Sequence, residues 1–260
     1  GGDELFGGNN HYRRILRALP WLKAFPQLGI QTAFWGAAHL RPRYAQLEAP
    51  ALPGPPLARL YYAARGLFMP GQIRALVHPD LLARTDLGRG DCSSLLPSSP
   101  VLTSSPVTPR SSLHALMTLE LRRYMHDQLL RDSDVFGMAH SLEIRVPFID
   151  HRIVETIFQT SPEVILGSFS ASSRPKALLL DALPEPLPTL CTHRPKMGFT
   201  FPFDGWMKGP WAGVLDARMR QAAIHDGPLV PEAARRLWRQ YNDGNLHWSR
   251  PWSLSVLSSS

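Results

Sequence analysis

Apolar residues return at helical spacing most clearly from Leu113 to about Leu130, where Leu113, Leu116, Met117, Leu121, Tyr124 and Met125 line one stripe. That period predicts a long helix with one face packed into a core. Leu57, Leu60, Tyr61 and Ala64 form a second stripe and predict a helix from Leu57 to about Leu67. Shorter helices are expected from His11 to Leu19 (ended by Pro20), over 31–40, over 71–83, from Ile153 to Phe158 and from Lys176 to Leu183. Pro231-Glu232 reads as a further helix start, because proline suits the first turn and glutamate its positive end. Residues 1–10 read as a glycine-rich turn, 41–56 as a loop, and 184–202 as an extended, proline-punctuated loop carrying Lys196. A Ser/Pro-rich stretch over 85–112 shows no sustained period and is expected to be a mobile loop. Trp206, Trp211, Trp238, Trp248 and Trp252 populate the tail, where core packing is the expected role.

The bulk numbers narrow the class. The 260 residues suffice for one large domain or two small ones, and 44% hydrophobic residues suffice for a packed core. No apolar run is long enough to predict a membrane span. Cys92 and Cys191 have no CxxC partner, so zinc and disulfide frameworks are not expected and a reducing cytoplasm is the default compartment. The net charge is +7, but the arginines are scattered without a dense basic run, which argues against nucleic acid as partner. Twenty-five prolines imply short helices and frequent turns.

Three segments carry candidate chemistry. The first is Gly1-Gly2-Asp3-Glu4-Leu5-Phe6-Gly7-Gly8. Glycines let backbone approach a ligand closely, and successive N–H groups of such a turn form an anion nest. Asp3 is a metal candidate or a helix N-cap; Glu4 favours a first helical turn. The second segment runs from Leu130 to Asp150 and includes Ser141-Leu142-Glu143-Ile144-Arg145-Val146-Pro147. If it is extended, Glu143 and Arg145 point to one face, either as a structural ion pair or with Glu143 as an acid that orients a substrate. Asp134 and Asp150 read as caps or turn-formers, and His140 as a packed or hydrogen-bonded histidine. The third segment is Arg194-Pro195-Lys196-Met197-Gly198-Phe199-Thr200-Phe201-Pro202. Lys196 offers a compact point charge for a phosphate or is a solvated surface lysine, and Arg194 is a weaker phosphate candidate.

In this order the three segments resemble the synthetase domain of glutamine-dependent asparagine synthetases, the longer bacterial members most closely. The family patterns read roughly GGDELFGG, LLRDxDxxSMAHSLEVRVPFLDH and RPKxGFxxP. The resemblance implies an α/β adenine-nucleotide α-hydrolase-like (ATP pyrophosphatase) fold, of which this portion is mainly α-helical. It implies ATP and Mg²⁺ as cofactors, and aspartate, ATP and glutamine-derived ammonia as reaction partners. Asp3 would help bind Mg²⁺–pyrophosphate, Gly1 and Gly2 would present backbone to phosphate or adenylate, and Arg145 would face the nucleotide phosphates. Lys196 would stabilise the adenylation transition state, with Glu143 near the reacting groups. The family's SGGxDS loop and its glutaminase domain, with a cysteine after the initiator methionine, are absent from these 260 residues. The chain is therefore expected to be the carboxyl-terminal portion of the synthetase domain, inactive alone, with homodimerisation left open. Two alternatives remain: the same chemistry on another carboxylate, as in β-lactam or lasso-peptide ring formers, and a non-catalytic helical interaction module.

Overall fold

A computed structural model describes residues 1–24, 48–85, 110–167, 175–187, 189–190, 201–221 and 227–257. The chain divides into two compact units, one of Gly1–Pro26, Gly54–Ala64 and Cys92–Lys196, the other of Gln27–Pro53, Arg65–Asp91 and Met197–Ser260. The described residues are mainly α-helical; their one β-type contact is an isolated antiparallel bridge between Val77 and Leu229.

In the first unit, α1 (Gly2–Leu5) leads through the Gly7 turn into α2 (Asn10–Ala24). The helix expected to stop at Pro20 runs on through it. Proline inside a helix costs about 3 kcal/mol. Leu19 and Leu22 are buried on either side of it, and each buried leucine contributes about 1.5–3 kcal/mol, enough to hold the turn. α3 (Pro56–Arg65) buries Leu57 and Tyr61, as its stripe requires.

Next in the chain, the second unit contributes two short helices, α4 (Pro70–Leu76) and α5 (Pro79–Ala83). The long stripe of the first unit forms three pieces: α6 (Ser112–Leu119), a π-helical stretch over Glu120–Leu130 and α7 (Arg131–Met138). The Ser111 hydroxyl caps α6 by accepting from the His114 N–H at 3.2 Å. Leu113, Leu116 and Met117 are buried, but in the wider π turn burial falls on Glu120 and Met125, five residues apart, while Leu121 is only partly covered. Helical structure continues to Met138, so Asp134 lies inside α7 and caps nothing. His140 is exposed rather than packed, and it follows a helix, α7, in which Gly137 alone is buried.

A 3₁₀ turn over Pro147–Ile149 precedes α8 (His151–Gln159). Asp150 does cap α8: it accepts the Arg152 N–H at 2.9 Å and a two-pronged guanidinium contact at 3.0 Å each. Those hydrogen bonds from Arg152 hold the Asp150 carboxyl down at about 2. α9 (Pro162–Leu166) and α10 (Ala177–Asp181) complete the unit. Leu5, Tyr12, Leu116, Phe158 and Ile165 are among the residues that close its core.

In the second unit, the single helix expected over 71–83 is two, α4 and α5, separated where His78 donates to the Pro228 carbonyl and Val230 to that of Leu76. α11 (Phe203–Lys208), α12 (Ala212–Gln221), α13 (Pro231–Asn242) and α14 (Ser249–Leu257) follow. The tail tryptophans pack as expected. Phe203 stacks on Trp248 at 4.4 Å, Trp211 on Trp252 at 5.6 Å, and Trp238 Nε1 donates to Asp216 at 3.0 Å. The Tyr241 hydroxyl donates to Asp204 at 3.0 Å; burial first, and this carboxylate second, push its pKa up to about 12. The helix expected over 31–40 and nearly all of the Ser/Pro stretch lie outside the described residues.

Candidate active site

The glycine-rich segment is shaped by its neighbours in the first unit. Leu5 and Phe6 are buried, and the Phe6 ring meets the Phe148 ring edge-on at 5.9 Å. This contact joins the first motif to the second. A Cβ on Gly1 would come within 2.8 Å of Phe148 Cβ, so only glycine allows the two backbones this close. Gly7 adopts φ +64, and a Cβ there would meet Leu166 Cδ2 at 2.6 Å. A side chain on Gly8 would run into Asp3 Oδ1 and approach Lys176 Cε at 2.7 Å.

Asp3 occupies the first turn of α1, with Gly1 rather than Asp3 at the N-cap. Its Oδ1 lies 3.2 Å from Lys176 Nζ, both side chains partly exposed. Lys176 holds the left-handed conformation at φ 58, a state that costs a non-glycine residue about 1–3 kcal/mol. Glu4, by contrast, is buried; its Oε2 is 2.9 Å from the Gly1 nitrogen, and its carbonyl accepts from the Tyr12 hydroxyl at 2.8 Å. Beneath the turn, His11 Nε2 reaches the fully buried Glu120 at 3.0 Å, tying α2 to the π-helical stretch.

Glu143 and Arg145 do share a face of a non-helical segment, and they pair at 3.0 Å. Their side chains are 72% and 83% exposed, so solvent screens the pair. Leu142 N–H bonds back to the Gly137 carbonyl, and the segment passes close over Gly137. Gly1, Gly2 and Asp3 are thus brought together with Phe148, Ile149 and Lys176, while Glu143 and Arg145 engage each other. Lys196 and Arg194 lie outside the described residues.

Lys176 is the residue that sequence reasoning missed, having read it only as a helix start. A signal existed: Arg174-Pro175-Lys176 duplicates Arg194-Pro195-Lys196. Among the described residues no three His, Cys, Asp or Glu side chains converge to hold a metal. Mg²⁺ commonly takes one or two carboxylates and fills its shell with phosphate and water, and Asp3 at a glycine turn fits that donor set.

The family model of asparagine synthase matches residues 1–259. The chain belongs to the asparagine synthase family. It is 26% identical over 236 residues to asparagine synthetase (glutamine-hydrolyzing) 1 of Bacillus subtilis, covering 86% of this chain and 34% of the relative. Proteins provisionally named asparagine synthetase (glutamine-hydrolyzing) in Mycobacterium tuberculosis and Mycobacterium bovis are 26% identical over 264 residues, covering 98% of this chain and 37% of theirs. The chain thus spans about a third of the length of these curated relatives. No solved structure matches it significantly. Among the described residues no helix is long and apolar enough to cross a membrane.

Proposed function

We propose that this chain supplies part of the site at which an asparagine synthetase activates aspartate with ATP, within an α/β adenine-nucleotide α-hydrolase-like domain of a cytoplasmic protein. The β-carboxylate oxygen of aspartate bonds to the α-phosphorus, the bond to the bridging oxygen breaks and pyrophosphate leaves. Ammonia, released from glutamine by a glutaminase domain of the intact protein, then attacks the acyl carbon and AMP leaves. Mg²⁺ would be held by Asp3 and would neutralise charge on the polyphosphate.

The observation that carries this reading is the Asp3–Lys176 pair on the glycine turn, a carboxylate and a cation 3.2 Å apart and both partly exposed. Lys176 offers three donors to phosphate oxygens, and Gly1 and Gly2 keep the nearby backbone accessible. Lys196 and Arg145 are proposed to add positive charge, and Glu143 to orient the attacking amine or its partner. The test is pyrophosphate release by the full-length protein given ATP, Mg²⁺, aspartate and ammonia, with asparagine and AMP as products. Release that ignores aspartate but responds to another carboxylate would favour the ring-forming alternative. No release with any carboxylate would leave an interaction module.

A further inference from the structure

Between α12 and α13 the second unit has an open cavity of about 280 Å³, lined by Met219, Arg220, Glu232, Arg235, Trp238 and Arg239. The sequence makes it. α13 buries Ala234, Leu237 and Tyr241, which turns Glu232, Arg235 and Arg239, at i, i+3 and i+7, onto one outer stripe. Met219 and the partly buried Trp238 provide an apolar floor, and Trp238 is held rigid because its indole N–H is bound to Asp216.

Three guanidinium groups ring this floor against two carboxylates. Glu232 is shared by Arg235 at 3.3 Å and Arg239 at 3.5 Å, and Asp216 engages Arg220. Each arginine carries five N–H donors, so most donors still face solvent, and the rim has an excess of one positive charge. The three arginine side chains are mostly exposed, so their internal ion pairs are weak and can exchange for another carboxylate. Trp and Arg around an apolar floor are the residue types that dominate binding energy at protein interfaces.

We infer that this cavity is a docking site for an acidic protein segment that inserts one aliphatic or aromatic side chain over Trp238 and Met219 while its flanking carboxylates meet Arg220, Arg235 and Arg239. The cavity takes one large side chain but falls short of the roughly 300–1,000 Å³ typical of enclosed small-molecule pockets. A free small anion would stay largely in water there, whereas a peptide gains contact along the helices. The net charge of these 260 residues, +7, also favours an acidic segment over a basic one.

The test is fluorescence anisotropy with the full-length protein and a fluorescein-labelled peptide, Asp-Asp-Glu-Leu-Glu-Asp, at low salt. Saturable binding is expected, weakened at least about tenfold by Arg235→Glu with Arg239→Glu. It should also weaken when the peptide leucine becomes glycine. Arg14→Glu with Arg17→Glu, the same charge change on the exposed face of α2, should leave binding unaltered. Because the four arginines lie at the surface, circular dichroism should show both variants folded. Absence of binding, equal weakening by both pairs, indifference to the leucine, or displacement by inorganic phosphate at concentrations that match the peptide would each overturn the inference.

Discussion

Lys176 Nζ stands 3.2 Å from Asp3 Oδ1, a contact between residues far apart in the chain that sets a cation against the glycine-rich turn. The lysine adopts the left-handed conformation usually left to glycine, and the helix α10 begins directly after it. A single substitution at this strained residue therefore alters the charge of the candidate site and the backbone strain together.

Lys176→Gly should relieve the left-handed strain, worth about 1–3 kcal/mol, while losing a partly exposed ion pair worth about 0–1 kcal/mol. The melting temperature of the full-length protein should therefore hold or rise. Pyrophosphate release should fall on the order of 10²–10³-fold, the usual cost of removing one preorganised donor. An unchanged rate would remove Lys176 from the site; a collapsed melt would make it structural.

Gly7→Ala combines a left-handed backbone with a Cβ that meets Leu166 Cδ2 at 2.6 Å. It should cost about 2–5 kcal/mol from strain and overpacking together. Gly244→Ala, at φ +75 with nothing within 4 Å, should cost only the strain, about 1–2 kcal/mol. Denaturant unfolding of the two variants gives the comparison, and equal losses would contradict the close packing of Gly7.

Glu143→Gln should change stability by less than about 1 kcal/mol, because the Glu143–Arg145 pair is exposed to water. If Glu143 orients the amine, amide formation should drop while the melt does not. A double-substitution cycle with Arg145→Ala measures the pair itself. Full activity in Glu143→Gln would return both residues to a purely structural surface pair.

His114 is held below its ordinary pKa of 6.5, first by burial. Its Nε2 lies 3.1 Å from the Thr160 carbonyl, so that nitrogen carries the proton; hydrogen bonding to the Thr160 and Ile157 carbonyls favours the charged ring but is outweighed by burial. The unfolded chain therefore binds a proton first as pH falls. The contribution of His114 to stability should be flat above about pH 6.5–7 and should decline as pH drops below 6.5 toward the lower folded-state value. His114→Phe, which keeps the stack on Phe158, should flatten the decline in that window. A slope identical to that of the parent protein would assign it to other groups.

The helices with a clear apolar stripe were legible in the sequence because helical burial is a local rule, whereas α9, α11, α12 and α14 emerge only in the structure. Leu113, Leu116 and Met117 are buried as their spacing requires, and Asp150 caps a helix as its position before His151 suggests. The motif residues of the candidate site were legible for another reason: Gly1, Gly7 and Gly8 meet steric demands that no side chain can satisfy, so the letters themselves report the turn. Local rules failed where packing outweighed them. Pro20 stays helical between two buried leucines, and the π-widened turn buries Glu120, which the stripe leaves out, while Leu121 is only partly covered and Met125 is buried as its spacing requires.

By itself the sequence determined helical content, the glycine turn and membership of a family of ATP-using synthetases. Only the tertiary structure decided that Asp3 meets Lys176, that Glu143 spends its charge on Arg145, and that Glu120 is buried against His11. The physical reason is that a periodic pattern reports which face of an element avoids water, whereas partners across the core depend on how those faces are brought together. A lysine that reads as an ordinary helix start meets its partner only when folding sets it 3.2 Å from a carboxylate far away in the sequence.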